Sequence, residues 1–181
     1  MATTLRKLSM IWIEDQIEEF IVGLESLREE LRNRGFELTD EIQKAKTVEA
    51  AELMLDACEP SAPKPGVILL DLMLPQDEED LQQNKVDLDG GYLIWFEIRH
   101  MRKWPTLAEV PVLIITARGR PEYRDQVAAD RATRWLSKPA DPSRVAEDIK
   151  QLLAPSDAAE QLPCEQLPAN ADEGNLAPQV G

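Results

Sequence analysis

The run Val67-Ile68-Leu69-Leu70-Asp71 delivers four consecutive apolar residues into a carboxylate, and three other runs in the chain have the same form. Met10-Ile11-Trp12-Ile13 leads into Glu14-Asp15, Val112-Leu113-Ile114-Ile115 into Thr116, and Trp135-Leu136-Ser137 into Lys138-Pro139. Short apolar runs bounded by turn residues and separated by helical segments read as parallel strands buried on both faces. An open parallel sheet binds its ligands just beyond the carboxyl ends of its strands. Three carboxylates, one hydroxyl and one ammonium are therefore expected along a single edge.

Working outward, Ile17, Phe20, Ile21, Leu24, Leu27 and Leu31 repeat at three and four residues, the spacing of an amphipathic helix, and Gly35 ends it. Phe36-Glu37-Leu38 reads as a short edge strand, and Thr47 caps a second helix with Val48, Ala51, Leu55 and Cys58 on one face. Pro60, Pro63, Pro65 and Gly66 turn the chain into the Asp71 strand. Residues 76–88 read as a polar, acidic loop of 13 residues, long for a compact domain. Gly90-Gly91 closes it, and a helix follows over 92–103. Further elements are expected as a strand at 110–115, a helix at 121–130, a strand at 133–137 and a last helix at 142–153. This alternation implies a parallel sheet with helices on both faces.

The chain has 181 residues, 43% of them hydrophobic, enough for one domain with a core. Its net charge of -14 is concentrated in two places. Residues 76–89 carry six acids against Lys85, and residues 155–181 carry five acids with no Lys or Arg. Such a balance argues against direct nucleic-acid or anionic-membrane binding. From Pro155 onward there is no aromatic residue, and Glu-Gln-Leu-Pro occurs at 160–163 and again at 165–168. We expect a folded unit over 1–154 and a flexible acidic tail over 155–181. Cys58 and Cys164 form no disulfide or metal pattern. No apolar stretch approaches the roughly 20 residues of a membrane span, and charge appears too early for a secretory signal. A cytoplasmic location is expected.

The strand ends carry the chemistry. Glu14 and Asp15 bracket one position, and Asp71 arrives from a neighbouring strand, which makes a hard-oxygen cage suited to Mg²⁺. A carboxylate can also attack phosphorus to form an acyl phosphate. Lys138 offers a compact positive charge to a phosphoryl oxygen, and Thr116 a hydroxyl. Singly, each has a plain structural use: acid pairs cap helices, Thr suits strand ends, and a Lys before Pro is a common turn residue. Their joint order, each after its own strand, is what points to a site.

On these residues the chain resembles the receiver domain of two-component response regulators, over about residues 7–153. Ile13-Glu14-Asp15 matches the family's acidic pair, and Val67 to Pro75 matches the segment around its phospho-accepting aspartate. Ile115-Thr116-Ala117 matches the switch hydroxyl, Trp135 the aromatic switch position, and Lys138-Pro139 the lysine motif. The resemblance implies a flavodoxin-like, doubly wound five-stranded parallel sheet of order 2-1-3-4-5 with helices on both faces. It implies Asp71 as acceptor, Lys138 and Thr116 as its partners, and Mg²⁺ held by Asp15, Asp71 and the Met73 carbonyl, with Glu14 acting through water. It also implies a cis Lys138–Pro139 bond, which X–Pro alone adopts cheaply.

Three departures stand out. The 76–88 loop is longer than the family's, and can serve as a lid, a partner contact, an electrostatic filter or a tolerated insertion. Arg131 stands where glycine is usual, which alters that helix end, and Trp135 is bulkier than the usual Tyr or Phe. His100, Trp95, Trp104 and Phe96 read as surface or core residues. The expectation is a stand-alone receiver that takes a phosphoryl group from a sensor histidine kinase or phosphotransfer protein and changes its affinity for a downstream target. It is no enzyme in the ordinary sense, releasing phosphate slowly by self-catalysed hydrolysis. A phosphorylation-independent binding module is one alternative. A metal-dependent phosphatase is another, although Met73 stands where such enzymes place a second acid.

Overall fold

The computed structural model describes residues 4–16, 21–58 and 64–154. Five parallel strands form one sheet in the order β2-β1-β3-β4-β5. They are β1 (Arg6–Ile13), β2 (Phe36–Ala45), β3 (Val67–Leu70), β4 (Val112–Thr116) and β5 (Thr133–Ser137). The helices are α1 (Ile21–Asn33), α2 (Val48–Cys58), α3 (Glu78–Gln82), α4 (Gly90–Phe96), α5 (Pro121–Ala129) and α6 (Pro142–Leu152), with a π-helical turn, Glu97–Met101, continuing α4.

Each central strand buries both of its faces, which explains why it reads as an unbroken apolar run. Ile11, Ile13, Ile68, Leu70, Val112 and Ile114 pack with Val48, Ala51 and Leu55 of α2, Ile94 and Trp95 of α4 and Val127 of α5. Met10, Trp12, Val67, Leu69, Leu113 and Ile115 point the other way, onto Leu27 and Leu31 of α1 and Val145, Ala146 and Ile149 of α6. Fully burying each such side chain stabilises the fold by roughly 1.5–3 kcal/mol before entropy is counted. The doubly wound α/β arrangement expected from the sequence is thus the one observed.

The helix-end readings at Thr47 and Gly35 hold. Thr47 Oγ1 accepts from Ala50 N at 3.1 Å, and the buried face of α2 is Val48, Ala51, Leu55 and Cys58. Gly35 follows α1 with φ +90°, and Asp141 accepts from Ser143 N at 2.8 Å to open α6. Ile17, Phe20, Pro60, Pro63 and the 155–181 tail lie outside the described residues.

Several boundaries differ. The edge strand β2 runs through ten residues, because Ile42 to Ala45 pair with Met10 to Ile13 after a register shift between Leu8 and Met10. An edge strand with solvent on one side carries polar residues, so Glu37, Gln43 and Lys44 hid it. Strand β4 begins at Val112 and not at Val110, since Pro111 has no N–H to give to a ladder. The acidic 76–88 loop holds a turn of helix, α3, N-capped by Asp77, whose carboxylate accepts from Asp80 N. The helix expected over 92–103 starts at Gly90 and loosens into the π turn at Glu97. Arg131 needs no glycine-like backbone, because the chain leaves α5 through Asp130 in an extended conformation. Among the described residues no helix is long and apolar enough to cross a membrane.

Candidate functional site

The strand register brings the expected residues to one edge. Ile13 pairs with Leu70, so Glu14 and Asp71 leave adjacent strands at the same level. Asp71 N donates to Ile13 O and Glu14 N to Ala45 O, both at 2.9 Å, which fixes where the two side chains start. On the other side Thr116 pairs with Ser137, so Lys138 leaves β5 just past Thr116, and its N–H donates to Thr116 O at 2.9 Å. The Lys138–Pro139 peptide is cis.

Lys138 is the hub of the cluster. Its Nζ donates to Asp71 Oδ2 at 2.6 Å and to Glu14 Oε2 at 2.5 Å. The three side chains are largely withdrawn from water, at 15% exposure for Lys138, 3% for Glu14 and 5% for Asp71. Glu14, Asp15 and Asp71 each offer an oxygen within 4.8 Å of the others, and Asp15 is the half-buried member. Asp71 Oδ1 accepts from Met73 N at 3.1 Å, and Glu14 Oε1 from Gln16 N at 3.3 Å. A cavity of about 120 Å³ opens over this cluster, lined by Asp15, Gln16, Asp71, Met73, Ala117, Lys138 and Val86.

Among the described residues one ammonium faces two carboxylates with a third beside them, and the titration of the cluster reflects this. Burial pushes Glu14 up to about 7; its hydrogen bond with Asp15 and the charge of Asp71 push the same way, while Lys138 pulls it down. For Lys138, burial disfavours the ammonium, but the hydrogen bonds and charges of Asp71 and Glu14 outweigh it and hold the group above its ordinary value. Such a site is short of positive charge. Its hard oxygens suit Mg²⁺, which binds through one or two carboxylates and shares its remaining positions with waters and phosphate.

Thr116 and Trp135 stand apart from the cluster. Thr116 is buried, and its hydroxyl donates to Arg118 O at 2.7 Å, within its own loop. Trp135 is half-buried against Gly119, where a Cβ would come within 2.4 Å of the indole ring. The Arg124 guanidinium lies 5.2 Å from the ring centroid, and the indole N–H is buried with no hydrogen-bond partner among the described residues.

Sequence reasoning missed two parts of the site. Gly91 presses on the backbone at the end of β3, since a Cβ there would come within 1.9 Å of Asp71 O. The Gly90-Gly91 pair was legible as a loop closure, but the close approach depends on α4 folding back over β3. Val86, from the acidic insertion, was not foreseen as part of the cavity lining at all.

No protein-family model matches the chain. It is 32% identical over 91 residues to the phosphate regulon transcriptional regulatory protein PhoB of Escherichia coli (strain K12), a match covering 50% of this chain. That match covers 33% of the relative, so the chain spans about a third of its length. Among solved structures, a two-component response regulator from Cytophaga hutchinsonii aligns with a TM-score of 0.54 at 17% identity, covering 82% of this chain and 98% of that one. The signal receiver domain of a DNA-binding response regulator (merR) from Colwellia psychrerythraea 34H aligns with a TM-score of 0.54 at 24% identity, covering 81% and 98%. The chain has the receiver fold of response regulators.

Proposed function

We propose that this receiver-fold chain is a phosphorylation switch: Asp71 accepts a phosphoryl group from the phosphohistidine of a sensor kinase or phosphotransfer protein. One observation carries the reading. A single ammonium, Lys138, is shared by Glu14 and Asp71 at the carboxyl edge of the sheet, with Asp15 beside them and a small cavity in front.

In the transfer, an oxygen of Asp71 attacks phosphorus, the P–N bond to the donor imidazole breaks, and the electron pair leaves with that nitrogen. Lys138 would hold a phosphoryl oxygen, and the Met73 N–H, which donates to Asp71 Oδ1, would steady the carboxylate. Asp15, Asp71 and the Met73 carbonyl would hold Mg²⁺, with Glu14 acting through water. When bound, the ion supplies charge neutralisation for the transferring group. Thr116 would exchange its Arg118 carbonyl for a phosphoryl oxygen, and the loop it leads would move with it. That loop contacts Trp135 at Gly119, so the surface of α5, β5 and α6 changes and with it the affinity for a downstream target. Hydrolysis should be slow, since the residue two positions after Asp71 is Met73, which has no proton to give or take.

The test is phosphorylation by acetyl phosphate or phosphoramidate with Mg²⁺, read by intact mass and by Trp fluorescence. Wild type should gain one phosphoryl group and a spectral shift, and Asp71→Asn neither. Equal behaviour of the two proteins would sink the reading.

A further inference from the structure

We propose that Val86, carried by the acidic insertion, is a wall of the phosphorylation pocket and sets how fast water reaches the acyl phosphate on Asp71. The inference rests on Asp71 being the acceptor. It extends that reading by giving a chemical role to the insertion, residues 76–88.

Val86 lines the cavity together with Asp71, Lys138, Asp15, Met73 and Ala117. The residue is 37% exposed, so it meets solvent as well as lining the cavity. A branched aliphatic group offers water no hydrogen bond, the Ala117 methyl offers none either, and the Met73 thioether is only a weak acceptor. Hydrolysis needs a water oxygen to bond to phosphorus as the P–O bond to Asp71 breaks. The electron pair then returns to the carboxylate, and the water proton passes to solvent. An apolar wall on the approach side lowers the frequency of that attack without touching the reacting atoms.

The wall is held from both directions. Immediately after Val86, Asp87 pairs with Leu74 through two backbone hydrogen bonds, Leu74 N to Asp87 O at 3.1 Å and Asp87 N to Leu74 O at 2.9 Å. Leu74 itself is fully buried, so this end is anchored in the core. Two residues further, the Asp89 carboxylate accepts from Arg120 Nη2 and from Tyr123 Oη, each at 2.8 Å. Arg120 and Tyr123 lie in the segment that follows Thr116, so the insertion is latched to the part of the chain that carries the switch hydroxyl. Tyr123 stacks on Tyr92 with centroids 3.6 Å apart, which fixes that end of the latch against α4. On the near side, Lys85 pairs with Asp80 of α3 at 3.7 Å.

The experiment uses the full chain, phosphorylated with phosphoramidate and Mg²⁺ and then freed of donor, with decay followed by intact mass. Val86→Gly and Val86→Ser should shorten the phosphoryl half-life by about three- to tenfold, and Val86→Ile should preserve or lengthen it. Asp89→Ala, which releases the latch but leaves the wall residue in place, should shorten it by about twofold. Carbodiimide labelling of Asp71 in the unphosphorylated protein, read on its peptide, should rise in Val86→Gly while labelling of exposed Asp141 stays constant. Phosphorylated wild type whose decay matches that of Val86→Gly, or unchanged Asp71 labelling, overturns the wall and leaves the acceptor reading standing. A wild type that takes no phosphoryl group at Asp71 overturns the acceptor reading and the lifetime role together.

Discussion

The sheet carries a buried charge cluster at each end, and the two are built on opposite principles. At the amino ends of β4 and β5, Arg99 donates to Asp130 Oδ2 at 2.6 Å, Ala108 O at 2.7 Å, Val110 O at 2.6 Å and Ala132 O at 3.1 Å, with Thr133 Oγ1 at 3.3 Å. Its side chain is only 5% exposed, and among the described residues its one carboxylate partner matches its one charge. Thr133 in turn accepts from the Trp95 indole at 3.0 Å, which ties α4 to β5. Every direction of the guanidinium fork is used. At the carboxyl ends, Lys138 faces two carboxylates directly and a third close by. The balanced cluster has its charge matched, whereas the unbalanced one keeps negative charge that a further cation would offset, as the proposed function requires. Burial is common to both, so the charge count separates scaffold from site.

The sharpest way to break this contrast is to remove Arg99. Arg99→Ala strands Asp130 and several backbone carbonyls, and should cost about 3–5 kcal/mol in urea denaturation. Arg99→Lys should recover only part of that, because an ammonium cannot reproduce the planar fork. A loss below about 1 kcal/mol would strip Arg99 of its structural role.

The two clusters should also respond to pH with opposite signs. Glu14 keeps its proton up to about 7 in the fold but releases it near 4.5 when unfolded. Its contribution to stability is therefore full below that lower value and is lost as pH rises through about 7, a change of roughly 1–3 kcal/mol. For Asp130, burial pushes the carboxyl up, but the Thr133 hydroxyl, the Ala132 N–H and Arg99 prevail and hold it below its ordinary value. Its contribution is present above the ordinary carboxylate range and is lost as pH falls. In metal-free buffer, Glu14→Gln should flatten the decline between about pH 5 and 8, measured by urea midpoints. A Glu14→Gln protein with an unaltered pH profile would remove the basis for calling the carboxyl edge overcharged.

The smallest stability effect belongs to the proposed acceptor itself. Asp71→Asn removes one of two like charges on Lys138 while keeping the shape, so stability should change by no more than about 1 kcal/mol. Phosphoryl uptake should fall to background in the same protein. A loss as large as that of Arg99→Ala would mean that Asp71 is scaffold after all.

Much of this was legible before any coordinates. Where a strand is buried on both faces, hydrophobicity leaves only apolar residues and the run is unmistakable, as at Val67–Leu70 and Val112–Ile115. Where one edge faces water, as along β2, that signal thins and the strand was read too short. The Arg99 cluster was invisible for a related reason. Its partners are mostly backbone carbonyls, which every residue has, so no residue type advertises them.

Residue order alone determined the α/β alternation and put acids, a hydroxyl and a lysine after their respective strands, because hydrophobic burial and turn chemistry act on neighbours along the chain. It also held the names of every group in the carboxylate cluster. Only the folded chain decided that Lys138 bridges Glu14 and Asp71, that Thr116 turns to Arg118, that Gly91 abuts Asp71, and that an insertion residue walls the cavity. Those contacts join residues far apart in sequence, and their distances come from parallel register and from packing across the sheet edge, which no local pattern encodes.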